Sequence, residues 1–166
     1  KKMYKSSVWG YNNNLEIESV NLKNDKDSIV FTEKLKVTIN DFLSKTNEGY
    51  LFRVNVFNKI TTTPKRYRKR ERPLELSRSF VDEDEFVISI PKGFKLNALP
   101  QEKKIDTKFG MYQIRFEKID DSIIKYYRKY AIKKGIHPKE DYKAYRSFRR
   151  KVARYDNLRI ELIKKN

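Results

Sequence analysis

Residues 111–132, MYQIRFEKIDDSIIKYYRKYAI, limit the possible folds more than any other stretch of the chain. Met111, Gln113, Arg115 and Glu117 alternate with Tyr112, Ile114, Phe116 and, after one slip, Ile119. Asp120 and Asp121 then supply a tight turn into SIIKYYRKYAI. A period of two sends successive side chains to opposite faces of a strand, so residues 111–119 and 122–132 predict an antiparallel hairpin. The same period recurs in LEIESVNL (15–22), SIVFTEKLKVTIN (28–40), YLFRVNVF (50–57), LELSRSF (74–80) and EFVISIP (85–91). In 28–40, Ile29, Phe31, Leu35, Val37 and Ile39 fall on one side, with Glu33 interrupting them.

One segment departs from this period. Gly135-Ile136-His137-Pro138 leads into KEDYKAYRSFRRKVARYD, where Tyr142, Tyr145, Phe148, Val152 and Tyr155 share one helical face. Pro138 suits a first helical turn, where its missing N–H is not needed. Glu140 and Asp141 suit the positive end of the helix dipole, and Arg150, Lys151 and Arg154 the negative end. LRIELI (158–163) reads as a final strand. Together these features predict a mainly β fold: an antiparallel β-sandwich of about eight strands, with one C-terminal α-helix over about 138–155 before the last strand. The 166 residues suit a single domain, 1–166, with 1–13 as a linker or disordered lead. Lys1 opens the chain and Met3 lies inside it, as expected of a piece of a longer protein.

Composition excludes several kinds of chemistry. With no cysteine there is no disulfide, thiol nucleophile or thiolate metal site. His137 is the one histidine, so a metal site would lack its usual set of ligands. A serine nucleophile would have to share that histidine, and no Gly-x-Ser-x-Gly turn is present. His137 is read as a helix-cap or loop residue. Asp82, Glu83, Asp84 and Glu85 form the one carboxylate run, which fits no EF-hand spacing and reads as a solvated acidic turn facing a basic loop. The five glycines are not grouped, so no phosphate-binding loop is present. No catalytic, cofactor or metal residue is assigned, and the chain reads as non-catalytic. No apolar run approaches the roughly 20 residues of a membrane helix.

The net charge of +17 is uneven. Residues 1–121 hold 24 basic and 18 acidic side chains, whereas residues 122–166 hold 15 and 4. On the predicted helix, Lys139, Lys143, Arg146, Arg150 and Arg154 share the face opposite the aromatic one, a basic contact surface for an anionic polymer, lipid headgroups or an acidic neighbouring domain. KRYRKRERP (65–73) is a second basic run, closely followed by acids, and reads as a loop approaching an edge strand. Tyr126, Tyr127 and Tyr130, with Trp9 and Tyr11, suit either a stacking platform for sugars or bases or ordinary core packing; in a strand, Tyr126 and Tyr130 share a face and Tyr127 opposes them.

Several ordered landmarks carry a resemblance. IPKGFKLNALP (90–100), FGMYQIRF (109–116), YYRKYAIKKG (126–135), YRSF (145–148), KVARYDNLRIEL (151–162) and the Arg-x-x-Pro-apolar stretch in RERPLEL (70–76) are the relevant residues. Over roughly 50–165 the chain resembles a C-terminal domain of unknown function that follows the transglutaminase-like domain in secreted proteins of Gram-negative bacteria. The resemblance implies a periplasmic or extracellular setting, with the neighbouring transglutaminase-like domain of the same parent chain as partner. None of that neighbour's Cys-His-Asp triad transfers to a chain without cysteine. The expected role is a non-catalytic accessory domain. The alternative is a binding module for a polyanion such as nucleic acid, or for carbohydrate. On the accessory reading no specific nucleic acid is expected.

Overall fold

The computed structural model describes residues 14–40 and 42–165. The lead at 1–13, with Trp9 and Tyr11, lies outside the described residues. The chain divides into two compact units, Lys1–Ser44 and Lys45–Asn166.

In the first unit, β1 (Leu15–Asp25) and β2 (Val30–Ile39) pair antiparallel from Leu15↔Ile39 to Asp25↔Val30, with an irregularity between Ile17 and Ser19. The Asp25 carboxylate accepts the Ser28 N–H at 3.1 Å and shapes the turn. Ile29 closes the turn in the left-handed region, at φ 55°. It therefore belongs to the turn and not to the strand, and it is exposed. Leu35, Val37 and Ile39 are half-buried as the alternation predicts. The alternation slips near Glu33, where the apolar side was interrupted, and Phe31 is exposed.

The second unit holds the remaining elements. In order these are β3 (Ser44–Lys45, at the boundary), β4 (Gly49–Arg53), β5 (Leu74–Leu76), β6 (Phe80–Ser89), β7 (Phe94–Leu96) and β8 (Lys103–Thr107). Then come β9 (Gly110–Lys118), β10 (Ile123–Ile132), β11 (Gly135–His137), a 3-10 turn (Lys139–Asp141), α1 (Tyr142–Asp156) and β12 (Arg159–Lys164). Two four-stranded antiparallel sheets result, ordered β6-β10-β9-β8 and β3-β4-β12-β7, with β11-β5 as a separate pair. This is the sandwich-like, mainly β fold expected, with one helix before the last strand. Of the twelve described strands, eight have five residues or more.

The predicted hairpin forms. β9 and β10 pair from Ile124↔Lys118 to Ile132↔Gly110 around the Asp120-Asp121 turn. Asp120 holds that turn by accepting both the N–H and the hydroxyl of Ser122, at 2.6 and 2.7 Å. Tyr112, Ile114, Ile124, Tyr126, Tyr130 and Ile132 point inward and are buried. Each large apolar side chain so buried contributes about 1.5–3 kcal/mol. α1 packs on this sheet through rings: Phe109 with Tyr145 at 5.5 Å, Tyr130 with Phe148 at 6.3 Å and Tyr112 with Tyr155 at 6.3 Å.

The acidic run 82–85 is not a turn. It lies within β6, paired along its length with β10. Asp82 and Asp84 face inward and are half-buried, whereas Glu83 and Glu85 face outward. The outward pair meets Lys129 at 2.5 Å and Lys125 at 3.9 Å. Cross-strand neutralisation by β10 is what lets four consecutive acids occupy a strand.

Candidate functional site

The two basic features of the sequence meet on one surface. The segment Thr61–Pro73 forms no strand and runs between β4 and β5. Pro64 and Pro73 bracket it, and proline cannot donate to a ladder. Side chains of α1 fasten it instead. The Tyr142 hydroxyl donates to the Lys65 carbonyl at 2.6 Å, and Arg146 Nε donates to the Pro64 carbonyl at 2.9 Å. Arg70 closes the other end by donating to the Pro73 carbonyl at 3.0 Å. Its guanidinium lies 4.3 Å from the centre of the Tyr142 ring, and Tyr67 tilts against the same ring at 5.6 Å.

Between loop and helix lies a groove of about 1140 Å³. The loop lines it with Arg66, Arg68, Lys69 and Arg70. The helical side adds Lys139, Lys143, Arg146 and Arg150, against a single acid, Glu140. Four of the five stripe residues are thus joined with the basic loop. Arg154 is exposed further along α1 and does not line the groove. Tyr142, assigned by period to the core face, is instead half-buried and turned to the loop. Partial burial raises its phenol pKa, with Tyr67 acting in the same direction and the Arg70 and Arg146 guanidiniums opposing. It therefore remains a hydrogen-bond donor at neutral pH.

A second constellation lies in the interior and was not foreseen. Arg128 of β10 and Asp156, the last residue of α1, are fully buried and form a two-pronged ion pair, Nε to Oδ1 at 2.8 Å and Nη2 to Oδ2 at 3.0 Å. Nη1 of Arg128 reaches Asp84 at 2.8 Å. Asp156 also accepts the Tyr112 hydroxyl and the Ile60 N–H, each at 2.7 Å. Burial alone would disfavour the Arg128 charge, but hydrogen bonds and attraction from Asp156 and Asp84 outweigh it, and its pKa rises. Burial, followed by the adjacent Asp156 charge, pushes the Tyr112 phenol far above its usual range. Burial brings Tyr130 up to about 12. Asp82 is also raised, by burial first, against the pull of Arg128. All four oxygen-directed bonds of Asp156 are thus consumed internally, so this cluster joins strand, helix and loop.

The other candidates take structural places. His137 sits in β11, where its ring meets Phe109 edge-on at 4.9 Å, and its Nε2 has no hydrogen-bond partner among the described residues. Tyr126 and Tyr130 are buried, while Tyr127 lies on the opposite face beneath the Arg115 guanidinium at 4.4 Å.

These features define a β-rich module with a charge-bonded core and a basic groove on its helix. The chain belongs to the family DUF3858, a domain of unknown function, which matches residues 47–162. Neither a curated protein nor a solved structure matches the chain.

Proposed function

We propose that this chain is a non-catalytic accessory domain that follows a transglutaminase-like domain in a secreted or periplasmic protein of Gram-negative bacteria, supporting or orienting that neighbour. The observation carrying this reading is the family match over residues 47–162. It spans the Arg-x-x-Pro stretch, the β9–β10 hairpin and the α1–β12 segment, the landmarks of the transglutaminase-associated resemblance. The interior supports a scaffolding role, because its buried charges are spent on one another. His137 is half-buried with its ring edge-on to Phe109, which suits a packing role.

The test has two parts. The purified chain should show no transglutaminase or peptidase turnover; activity that survives purification and disappears in His137→Ala overturns the reading. In the parent protein, deleting residues 47–162 should lower the melting temperature or activity of the transglutaminase-like domain. A parent without such a domain overturns the accessory role outright.

A further inference from the structure

We infer that the groove between the 65–72 loop and α1 is a docking site for an extended, acidic polypeptide segment. This goes beyond the accessory role and does not depend on which domain precedes the chain. The first ground is charge. Eight cations line the groove with one acid, and Arg66, Arg68, Lys143 and Arg150 are exposed with no carboxylate partner among the described residues. Some exposed cations elsewhere are paired, such as Lys129 with Glu83 and Lys108 with Asp141, and others stand singly; the groove differs in gathering eight of them against one acid. Gathering like charges costs stability through self-repulsion, and an anionic ligand seated among them would relieve that cost.

The second ground is pre-organisation. Tyr142 and Arg146 tie down one end of the loop, and Arg70 holds the other through the Pro73 carbonyl and the Tyr142 ring. A loop fixed in this way loses little further freedom when a ligand enters, which favours affinity. Five of the eight cations are arginines, whose planar forks match carboxylate oxygens two by two.

The third ground selects polypeptide over nucleic acid. Few ring faces are free to stack bases: Arg70 covers Tyr142 and Tyr67 leans against the same ring, which leaves the half-exposed Tyr67 as the groove's one accessible ring. A groove that grips single-stranded nucleic acid combines cations with free aromatic faces. Along α1, Lys143, Arg146 and Arg150 are three and four residues apart, or about 4.5 and 6 Å in rise. In an extended polypeptide, alternate side chains on one face recur every ~6.7 Å, close to the longer step.

The experiment uses the whole chain and two labelled probes at about 150 mM salt, followed by fluorescence anisotropy. One probe is a peptide of alternating Glu and Ser; the other is a single-stranded oligonucleotide of equal charge. Two variants are compared after circular dichroism confirms their fold. R66Q/R68Q/K143Q/R150Q strips the groove, and K104Q/K133Q/K134Q/R159Q removes the same charge from exposed positions that do not line it. The expected result is saturable peptide binding, weakened at least tenfold in the groove variant and less than threefold in the other. Equal losses in both variants would reduce the effect to net charge and overturn the site. Oligonucleotide binding as tight as peptide binding overturns the assignment of the partner.

Discussion

Asp156→Asn should be among the most damaging single substitutions in the second unit, and the geometry shows why. One carboxylate oxygen accepts the Tyr112 hydroxyl and Arg128 Nε; the other accepts the Ile60 N–H and Arg128 Nη2. An asparagine replaces one of these acceptors with a donor. Whichever way the amide turns, one guanidinium N–H and one further donor face an NH₂ group. Arg128 is then left buried with Asp84 as its one anionic partner in this cluster. Breaking a buried pair on one side costs about 3–5 kcal/mol. For a unit of roughly 120 residues, with an unfolding entropy of about 2.1 cal/mol/K per residue, this lowers Tm by about 12–20 °C.

The assay is urea and thermal unfolding of the whole chain at pH 7, followed by circular dichroism. Arg128→Met should cost a similar amount, since it leaves Asp156 and Asp84 without their shared cation. The double variant Arg128→Met/Asp156→Leu removes both members of the pair and should fall short of the sum of the singles by about 2 kcal/mol or more. Part of the loss persists because Tyr112 and the Ile60 N–H lose their acceptor, a penalty of about 1–3 kcal/mol each. A single-variant cost below about 1 kcal/mol, or strict additivity of the two, would refute the account of a mutually dependent buried pair.

Other outcomes follow from the same structure. Asp82 is raised mainly by burial, so the folded state holds its proton more tightly than the unfolded chain does. Stability should therefore fall as pH rises out of the carboxylate range, and Asp82→Asn should raise Tm at pH 7 with the gain vanishing at acid pH; an unchanged pH profile would reject this. Gly110 sits at φ 153°, and a Cβ there would lie 2.0 Å from the Ala131 carbonyl oxygen. Gly110→Ala should cost about 2–4 kcal/mol in urea unfolding, whereas Gly93→Ala, at φ 85° with open space around it, should cost about 1–2 kcal/mol. Tyr142→Phe removes the hydroxyl that holds the Lys65 carbonyl, and a bond worth about 0.5–1.5 kcal/mol predicts about two- to tenfold faster trypsin cleavage within 66–70, read by mass spectrometry.

What could be read from the sequence follows the physics of each element. The β9–β10 hairpin and the helix were legible because burying one face imposes a period of two on strands and 3.6 on helices. The acidic strand was misread because composition suggested solvent, although Lys125, Arg128 and Lys129 on the adjacent strand were its complement. β11 spans three residues, too few to show a period. The interior pair did leave a trace. Arg128 falls on the buried face of the Tyr126–Tyr130 alternation, and Asp156 extends the Phe148–Val152 face of the helix by one step. Two opposite charges at inward positions of two patterns could have been matched to each other. The groove was half legible. The helical stripe was visible from the period, but its union with the 65–72 loop depends on side-chain-to-carbonyl bonds that have no sequence period.

The charges on α1 show how the groove and the interior are connected. A carboxylate at the last helical residue opposes the helix dipole, and cations in the first turns do so as well, each by about 0.3–1 kcal/mol. Asp156 occupies the first kind of position, and Lys143 and Arg146 the second. Helix stability alone would select neither. Arg128 supplies the compensation at the C-terminal end, inside the protein. At the N-terminal end, Glu140 and Asp141 supply part of it, and Asp141 is itself engaged by Lys108 at 2.6 Å. The helix is therefore clamped to the sheet by its final carboxylate, and it presents its least compensated cations to the loop tied across its start. The buried pair at one end fixes the position of the face that the groove uses at the other. The groove can thus carry concentrated positive charge on a rigid support, because the cost of holding that helix in place is met by Arg128, Asp156 and Tyr112 in the core.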